Sequence, residues 1–126
     1  MQLMTEINIF KSSRDAVEVS AGELLFREGD QGNDMFAVVE GEIDLIVDGV
    51  TVETVGAGGI LGELALIDPA PRSADAKVRT PARVVRIDKK QFTFLVHEHP
   101  TFALQVMTIM AERLRKTNES VTGRDH

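Results

Sequence analysis

The feature that most restricts the fold of this chain is a β-hairpin signature over residues 43–55. Two runs of alternating apolar and polar residues flank Asp48-Gly49, a dipeptide that two-residue type I′ turns favour because both central residues adopt positive φ. Side chains in a hairpin alternate between the two faces of the sheet, so the register decides which of them are buried. The predicted register places two pairs on the buried face: Val47 with Val50, and Leu45 with Val52.

Shorter runs of the same kind lie on both sides of the hairpin. They contain alternating or β-branched residues and are bounded by glycine, proline or acidic turn residues. Gly41 and the dipeptide Thr80-Pro81 are predicted to be turns between strands. A chain with this many short strands favours a β-barrel or a β-sandwich. The predicted strands are residues 17–19, 24–27, 35–39, 73–78 and 83–87.

Helices are predicted on both sides of these strands. Apolar residues at helical spacing indicate a short helix over residues 3–11, within an N-terminal segment 1–13. After the last strand, Asp88 and Gln91 have the spacing of a capping box and would begin a helix of about three turns. Pro100 suits the first turn of a second helix, because its missing N–H is not needed there.

This last helix is predicted to run to about residue 121, with a stop at Gly123, and it is apolar on two sides. One stripe suits the surface of the barrel. The other has the spacing of a short coiled-coil seam. It would either contact a partner, such as a second copy of the chain, or be covered by the N-terminal helix. The first stripe is Phe102, Val106 and Ile109, and the second is Ala103, Met107, Met110, Leu114, Thr117 and Val121.

The segment over residues 58–74 combines a glycine-bearing turn, one acid within an apolar run, and a proline-containing loop that ends in an arginine. The guanidinium of Arg72 can bind a phosphodiester through several donors, and the backbone amides after Gly62 add partial positive charge. Glu63 would repel a phosphate, but an ionised carboxylate accepts the hydrogen of a sugar hydroxyl. These residues therefore predict a site for a sugar phosphate.

The motif Gly62-Glu63-Leu64-Ala65-Leu66, followed by Pro71-Arg72-Ser73-Ala74, resembles the phosphate-binding cassette of cyclic nucleotide-binding domains. That family includes the catabolite activator protein, the regulatory subunits of cyclic-AMP-dependent kinase and the cyclic-nucleotide-gated channels. The resemblance implies a mainly β fold, a jelly-roll barrel (double-stranded β-helix), with a short N-terminal helix and two C-terminal helices. Leu61 departs from the pattern, since many members have an aromatic residue there.

The same resemblance implies roles for individual residues. Glu63 would accept the ribose 2′-hydroxyl, and both halves of the motif would hold the cyclic phosphate. Thr117 and Asn118 of the last helix would contact the base. From the residues alone, an ordinary ion pair between Glu63 and Arg72 at the barrel rim is an open alternative. The implied phosphate-binding residues are Gly62, Leu64, Ala65, Arg72, Ser73 and Ala74.

Composition excludes several classes of function. A chain of 126 residues with a formal net charge of −6 has the size of one domain and lacks the excess of Lys and Arg that binds nucleic acid. It contains no cysteine, which excludes disulfides and thiolate metal sites. The N-terminal residues show neither a signal peptide nor a membrane-spanning run. We expect a cytoplasmic protein without membrane insertion.

Enzymatic activity and a cofactor are not expected. His97 and His99 lie two residues apart on a predicted helix, so they point to different sides and do not form a metal site. All three histidines follow the predicted strands, so a metal-binding jelly-roll enzyme would lack its ligands. Glu63 and Asp68 have no nucleophile, metal or histidine within the same segment for acid–base catalysis.

The sequence as a whole predicts one cyclic nucleotide-binding domain over residues 1–126, with the barrel at 16–88 and the C-terminal helices at 88–122. It would be a non-catalytic regulator in signal transduction. We expect cyclic AMP rather than cyclic GMP as the ligand, because the hydroxyl of Ser73 suits the phosphate; the open alternative is cyclic GMP, since a hydroxyl at this position also serves guanine in binders of that nucleotide. Binding would reposition the last helix and regulate a partner protein. The alternatives are a regulatory domain of a larger channel, kinase or transcription factor, and a structural barrel that binds no nucleotide.

Overall fold

The computed structural model describes residues 7–10, 13–68 and 70–124, and it describes side chains as far as residue 116. The strands form an antiparallel jelly roll that two helices follow, as the sequence predicts. The strands are β1 (Val17–Val19), β2 (Leu24–Phe26), β3 (Asp34–Val47), β4 (Val50–Val55), β5 (Ile60–Leu61) and β6 (Asp75–Asp88). The helices are α1 (Lys89–Glu98) and α2 (Pro100–Arg124).

The two long strands, β3 and β6, are the centre of the sheet and pair with each other along most of their length. β1 and β2 add to β6, whereas β4 and β5 add to β3. The predicted turns at Gly41 and Thr80-Pro81 are wrong, because each lies within a continuous strand. Gly41 has a φ of 85°, and a Cβ added there would lie 2.5 Å from the carbonyl oxygen of Pro81. Glycine therefore permits a bend in β3 against β6 where a side chain would not fit.

The turn between β3 and β4 is the one that the sequence predicts. Asp48 has a φ of 51° and Gly49 a φ of 77°, which are the two positive values of a type I′ turn. The two residues that flank this turn, Val47 and Val50, pair with each other as expected. Val50 is 62% exposed, however, so this end of the hairpin does not contribute a buried face.

Beyond the turn the register shifts, which is a β-bulge on β4. Leu45 pairs with Glu53, so the predicted pair with Val52 is wrong and Val52 is 60% exposed. The shift brings Val55 opposite Ile43, and both side chains are buried inside the barrel. Burial of Ile43 and Val55 decides the register of the hairpin. In this register the side chain of Glu53 lies on the same face of the sheet as the barrel core.

Alternate side chains of β3 supply two apolar cores. Phe36 and Val38 lie in the core inside the barrel, whereas Met35 and Ala37 lie in the core between the sheet and the helices. The first stripe of α2 belongs to the second core, as the sequence predicts. Its members Phe102, Val106 and Ile109 are all buried.

The helices begin as predicted. The amide of Gln91 donates to Asp88 Oδ1 at 2.8 Å, and the amide of Asp88 donates to Gln91 Oε1 at 2.9 Å, which is a complete capping box. α2 continues through the predicted stop at Gly123 as far as Arg124. None of the described helices is long and apolar enough to cross a bilayer.

The N-terminal segment differs from its predicted helix in the part that is described. Residues 1–6, 11 and 12 lie outside the described residues, and residues 7–10 are not helical. The amide of Ile7 donates to Gly58 O at 2.7 Å, so Ile7 bonds to the barrel and not to a preceding turn of helix. The side chains of Ile7 and Phe10 are buried in the core under the helices. Their spacing reflects this burial and not a helix.

The second stripe of α2 stays accessible where its side chains are described. Met107 is 54% exposed and Leu114 is 63% exposed, whereas Ala103 and Met110 are partly buried. Residues 3–6 and 11 of the predicted N-terminal helix lie outside the described residues, so both interpretations of this stripe stay predictions. The remaining members, Thr117 and Val121, lie beyond the described side chains.

Candidate functional site

The cassette begins where β5 ends in a sharp turn. Gly62 has a φ of 73°, and the short 3-10 turn Glu63–Leu66 follows it directly. A Cβ on Gly62 would lie 2.6 Å from Arg72 Nη1, so a side chain is excluded by both conformation and space. Leu66 is buried in the core under the helices and fixes the turn. The carboxyl-bearing Glu63 is consequently held at only 6% exposure.

One cavity of about 250 Å³ is lined by residues from both halves of the predicted cassette. The two halves of the motif form its walls, and Phe26 and Leu45 of the barrel add apolar surface. Pro71 lines it as well, whereas Pro69 lies outside the described residues. The predicted ligand-binding residues that line the cavity are Gly62, Glu63, Leu64, Ala65, Arg72, Ser73 and Ala74.

The backbone around Arg72 is fixed by the loop between β2 and β3. The amide of Arg72 donates to Asp30 O at 2.8 Å, and the amide of Gly29 donates to Arg72 O at 2.8 Å. Gly32 packs directly on the guanidinium, because a Cβ added there would overlap its atoms. The loop therefore places Arg72 by hydrogen bonds and by close packing.

The guanidinium of Arg72 bonds to neutral groups. Nη1 donates to Gly62 O at 3.1 Å and Nη2 to Asp34 O at 2.7 Å, and the charge lies 4.1 Å from the ring centre of Phe26. In the described part of the chain, Nε is buried without a hydrogen-bond partner. Burial lowers the pKa of Arg72, although Asp34 and Asp30 oppose this. The guanidinium of Arg72 therefore lies in the cavity wall, and its direct partners among the described residues are backbone carbonyls and not carboxylates.

Glu63 pairs with a residue that the sequence reading did not assign to the site. Arg113 of α2 donates from Nη1 to Glu63 Oε1 at 2.7 Å, so the open alternative of an ion pair between Glu63 and Arg72 is not what the structure contains. Arg113 also bonds to Glu53 and to the carbonyl oxygen of Ile60. Burial acts to lower the pKa of Arg113, but Glu63 and Glu53 outweigh it and raise the pKa above its ordinary value.

A sequence signal for Arg113 did exist. Phe102, Val106 and Ile109 recur every three or four residues, and Arg113 is the next position of that buried stripe. An arginine on a buried face requires a partner, because an unpaired buried charge is costly. Glu53 gave no such signal, since the β-bulge that turns it inward cannot be deduced from the alternation of its strand.

A second cavity, of about 350 Å³, lies on the α2 side of the first. The two share Glu63, Leu64 and Arg113 as lining residues. Met110, Ala111 and Leu114 of α2 complete the second one. Thr117 and Asn118 follow on the same helix, beyond the described side chains, so their contact with a base stays a prediction.

The described residues contain no group of three or more His, Cys, Asp or Glu side chains that could hold a metal ion. His97 Nδ1 lies 3.4 Å from Glu98 Oε2 on the exposed surface of α1. Neither residue lines the two cavities. The chemical capacity of the site is therefore that of a guanidinium, carboxylates and backbone amides around a largely apolar space.

Comparison with known proteins identifies this arrangement. A family profile described as the cyclic nucleotide-binding domain matches residues 16–99. The CRP-like cAMP-activated global transcriptional regulator of Mycobacterium tuberculosis is 27% identical over 110 residues, which are 83% of this chain and 49% of that protein. This chain therefore spans about half the length of that relative.

Two solved structures agree with the fold. A cyclic nucleotide-binding domain from Methylobacillus flagellatus superposes with a TM-score of 0.75 at 24% identity, covering 86% of this chain and 66% of the other. A structure from work on a cyclic-GMP-dependent signalling pathway that regulates bacterial phytopathogenesis also has a TM-score of 0.75. It is 29% identical and covers 91% of this chain and 98% of that one. With the cassette residues gathered around one cavity, this chain belongs to the cyclic nucleotide-binding domain family.

Proposed function

We propose that this chain is a non-catalytic sensor module that binds cyclic AMP in preference to cyclic GMP and acts in the cytoplasm. The observation that carries the proposal is the cavity of about 250 Å³. It brings a buried carboxylate, Glu63, and the guanidinium of Arg72 to the wall of one small space. These groups match the two polar parts of a nucleotide, its sugar hydroxyl and its phosphate.

Arg72 would hold the cyclic phosphate together with Ser73 and the amides of the turn after Gly62. Its present partners are two carbonyl oxygens, which position the guanidinium but do not neutralise its charge. An anion gains charge-assisted hydrogen bonds here that those carbonyls do not replace. The exposed hydroxyl of Ser73 would donate to the phosphate, which is the role expected of it in cyclic AMP binders, whereas in a cyclic GMP binder a hydroxyl here would also serve the guanine.

Glu63 would accept the ribose 2′-hydroxyl. Arg113 donates to one of its oxygens, Oε1, which fixes the carboxylate while a ribose hydroxyl approaches from the cavity. Phe26, Leu45 and Leu64 provide apolar wall around this point. They suit the carbon atoms of a ribose and the face of a base, neither of which needs a further charge.

The site should favour a monoanion over a dianion. Glu63 lies in the cavity wall and Glu53 lies beside it. The guanidinium of Arg113 forms an ion pair with each of these carboxylates. An additional negative charge on the ligand would be placed close to Glu63 without a further cation of its own. AMP, which carries that charge and lacks the cyclic ester, should therefore bind more weakly than cyclic AMP.

α2 is the element that would transmit binding, because Arg113 connects it directly to Glu63. The exposed side chains of Met107 and Leu114 support a contact with a partner protein or with α2 of a second copy. A second reading is that the chain is the regulatory part of a longer protein, such as a channel, kinase or transcription factor. The coverage of only 49% of the M. tuberculosis regulator favours this reading.

The proposal is tested by calorimetric titration with cyclic AMP, cyclic GMP and AMP at one fixed ionic strength. Saturable binding of cyclic AMP, with weaker binding of cyclic GMP and much weaker binding of AMP, is expected. Binding of cyclic GMP that is tighter than that of cyclic AMP would reverse the assigned preference. If no cyclic nucleotide binds at millimolar concentration, the chain is a structural barrel and not a sensor.

A further inference from the structure

Glu53 is an acid of β4 that makes a strong contact with α2. The β-bulge at Val52 turns it inward, opposite Leu45. Its carboxylate accepts from Arg113 Nε at 3.0 and 3.2 Å and from Arg113 Nη2 at 3.1 Å. The side chain of Glu53 is 24% exposed and that of Arg113 is 20% exposed. The contact is therefore a mostly buried, bidentate ion pair, and bidentate geometry makes such pairs strong.

Arg113 thus lies between two carboxylates from different parts of the barrel. Glu53 comes from the hairpin and Glu63 from the cassette, and the carbonyl oxygen of Ile60 accepts from Nη2 between them. We call Glu53, Arg113 and Glu63 the Arg113 cluster. Its partners engage all three nitrogens of the guanidinium, so Arg113 docks α2 on the barrel.

We propose that Glu53 is a positioning residue that holds α2 on the barrel independently of the cassette. Two carboxylates share one guanidinium, so Arg113 retains a charged partner when a ligand draws on Glu63. Without Glu53, the same event would draw on the other carboxylate of the cluster, Glu63, and so weaken the charged contacts between Arg113 and the barrel. Glu53 therefore determines whether occupation of the cassette leaves α2 docked or releases it. The role of Glu53 in docking α2 does not depend on the proposed function. Only the coupling between ligand binding in the cassette and the docking of α2 rests on it.

The test measures amide hydrogen exchange of residues 104–116 in α2, because undocking exposes these backbone amides. Glu53→Gln keeps the shape of the side chain and removes its charge. Without nucleotide, its α2 amides should exchange at least about fivefold faster than those of the wild type, as a charge-assisted pair becomes a neutral one. With saturating cyclic AMP, α2 of the wild type should remain protected, whereas the difference for Glu53→Gln should increase.

Glu42→Gln is the matched control, since Glu42 is an exposed acid of the adjacent strand β3. It should leave exchange of α2 unchanged. A second variant, Arg113→Gln, should expose α2 on its own, and adding Glu53→Gln to it should have little further effect because both act through one contact. Thermal melts of all variants show whether each is folded.

Unchanged exchange of α2 in folded Glu53→Gln without nucleotide would overturn the docking role, as would full additivity with Arg113→Gln. Equal effects of cyclic AMP on wild type and Glu53→Gln would overturn the coupling. If the wild type binds no nucleotide, the proposed function fails, but the comparison made without ligand still decides the role of Glu53.

Discussion

Replacing Arg72 by alanine should separate the two tasks of this side chain, binding a ligand and supporting the cassette. The guanidinium bonds to Gly62 O and Asp34 O and stacks on Phe26. Truncating one partner of a hydrogen-bonded charge pair costs about 2 to 5 kcal/mol of binding energy. The affinity for cyclic AMP should therefore fall by a factor of about 30 to several thousand.

The same substitution should destabilise the protein by less than its contacts suggest. Hydrogen bonds to a charged group contribute about 1.5 to 3 kcal/mol each, and stacking of a cation on an aromatic ring adds about 0.5 to 1 kcal/mol at an accessible site. Arg72 is only half-buried, so water can reach the freed carbonyls. We expect the free energy of unfolding to decrease by about 1 to 3 kcal/mol, measured by denaturant titration without ligand.

Arg86→Ala is the control for Arg72→Ala. Arg86 lies 5.5 Å from the ring centre of Phe36 and pairs with Asp34 Oδ2 at 3.3 Å, but it lines neither cavity of the site. Its removal should change the affinity less than about threefold. If folded Arg72→Ala binds cyclic AMP as tightly as the wild type by calorimetry, Arg72 does not hold the phosphate and the assignment of the cassette is wrong.

Three further predictions concern the ribose, the surface of α2 and the bend in β3. Glu63→Gln should weaken the binding of cyclic AMP by about 1 to 3 kcal/mol and the binding of a 2′-deoxy analogue far less in the same titration. Equal losses for the two ligands would show that Glu63 does not contact the ribose 2′-hydroxyl. Leu114→Glu should dissociate a dimer formed through the exposed stripe, as measured by light scattering with and without nucleotide, and a wild type that is monomeric in both states would contradict that contact. Gly41→Ala should lower the free energy of unfolding by about 2 to 4 kcal/mol, because φ is 85° and a Cβ would meet Pro81 O at 2.5 Å; a loss below about 0.5 kcal/mol in a denaturant titration would show that the bend tolerates a side chain.

Local signals predicted the elements that depend on short-range chemistry. Asp48-Gly49 predicted its turn because a type I′ turn requires positive φ at its two central residues, and this requirement depends only on the identity of those two residues. Asp88 and Gln91 predicted the start of α1 because a capping box closes within one helical turn. The buried stripe of α2 was also predictable, since its side is set by helical periodicity.

Predictions failed where a distant contact decided the local conformation. Gly41 reads as a turn, but pairing with β6 keeps it within a strand. Ile7 and Phe10 have helical spacing, yet their burial under the helices and the bond of the Ile7 amide to Gly58 hold this segment in another conformation. In both cases tertiary packing outweighs a weak local preference.

The sequence by itself determined which residues form the cassette, because its acid, arginine and glycines lie within one short segment whose spacing carries the motif. Only the tertiary structure decided what these residues contact. A bulge in β4 and the docking of α2 bring Glu53 and Arg113, 60 residues apart, within 3.0 Å, and this places Arg113 on Glu63. The spacing of residues along a chain constrains neighbours within a turn or a hairpin, whereas contacts between a strand and a distant helix depend on how every intervening element packs.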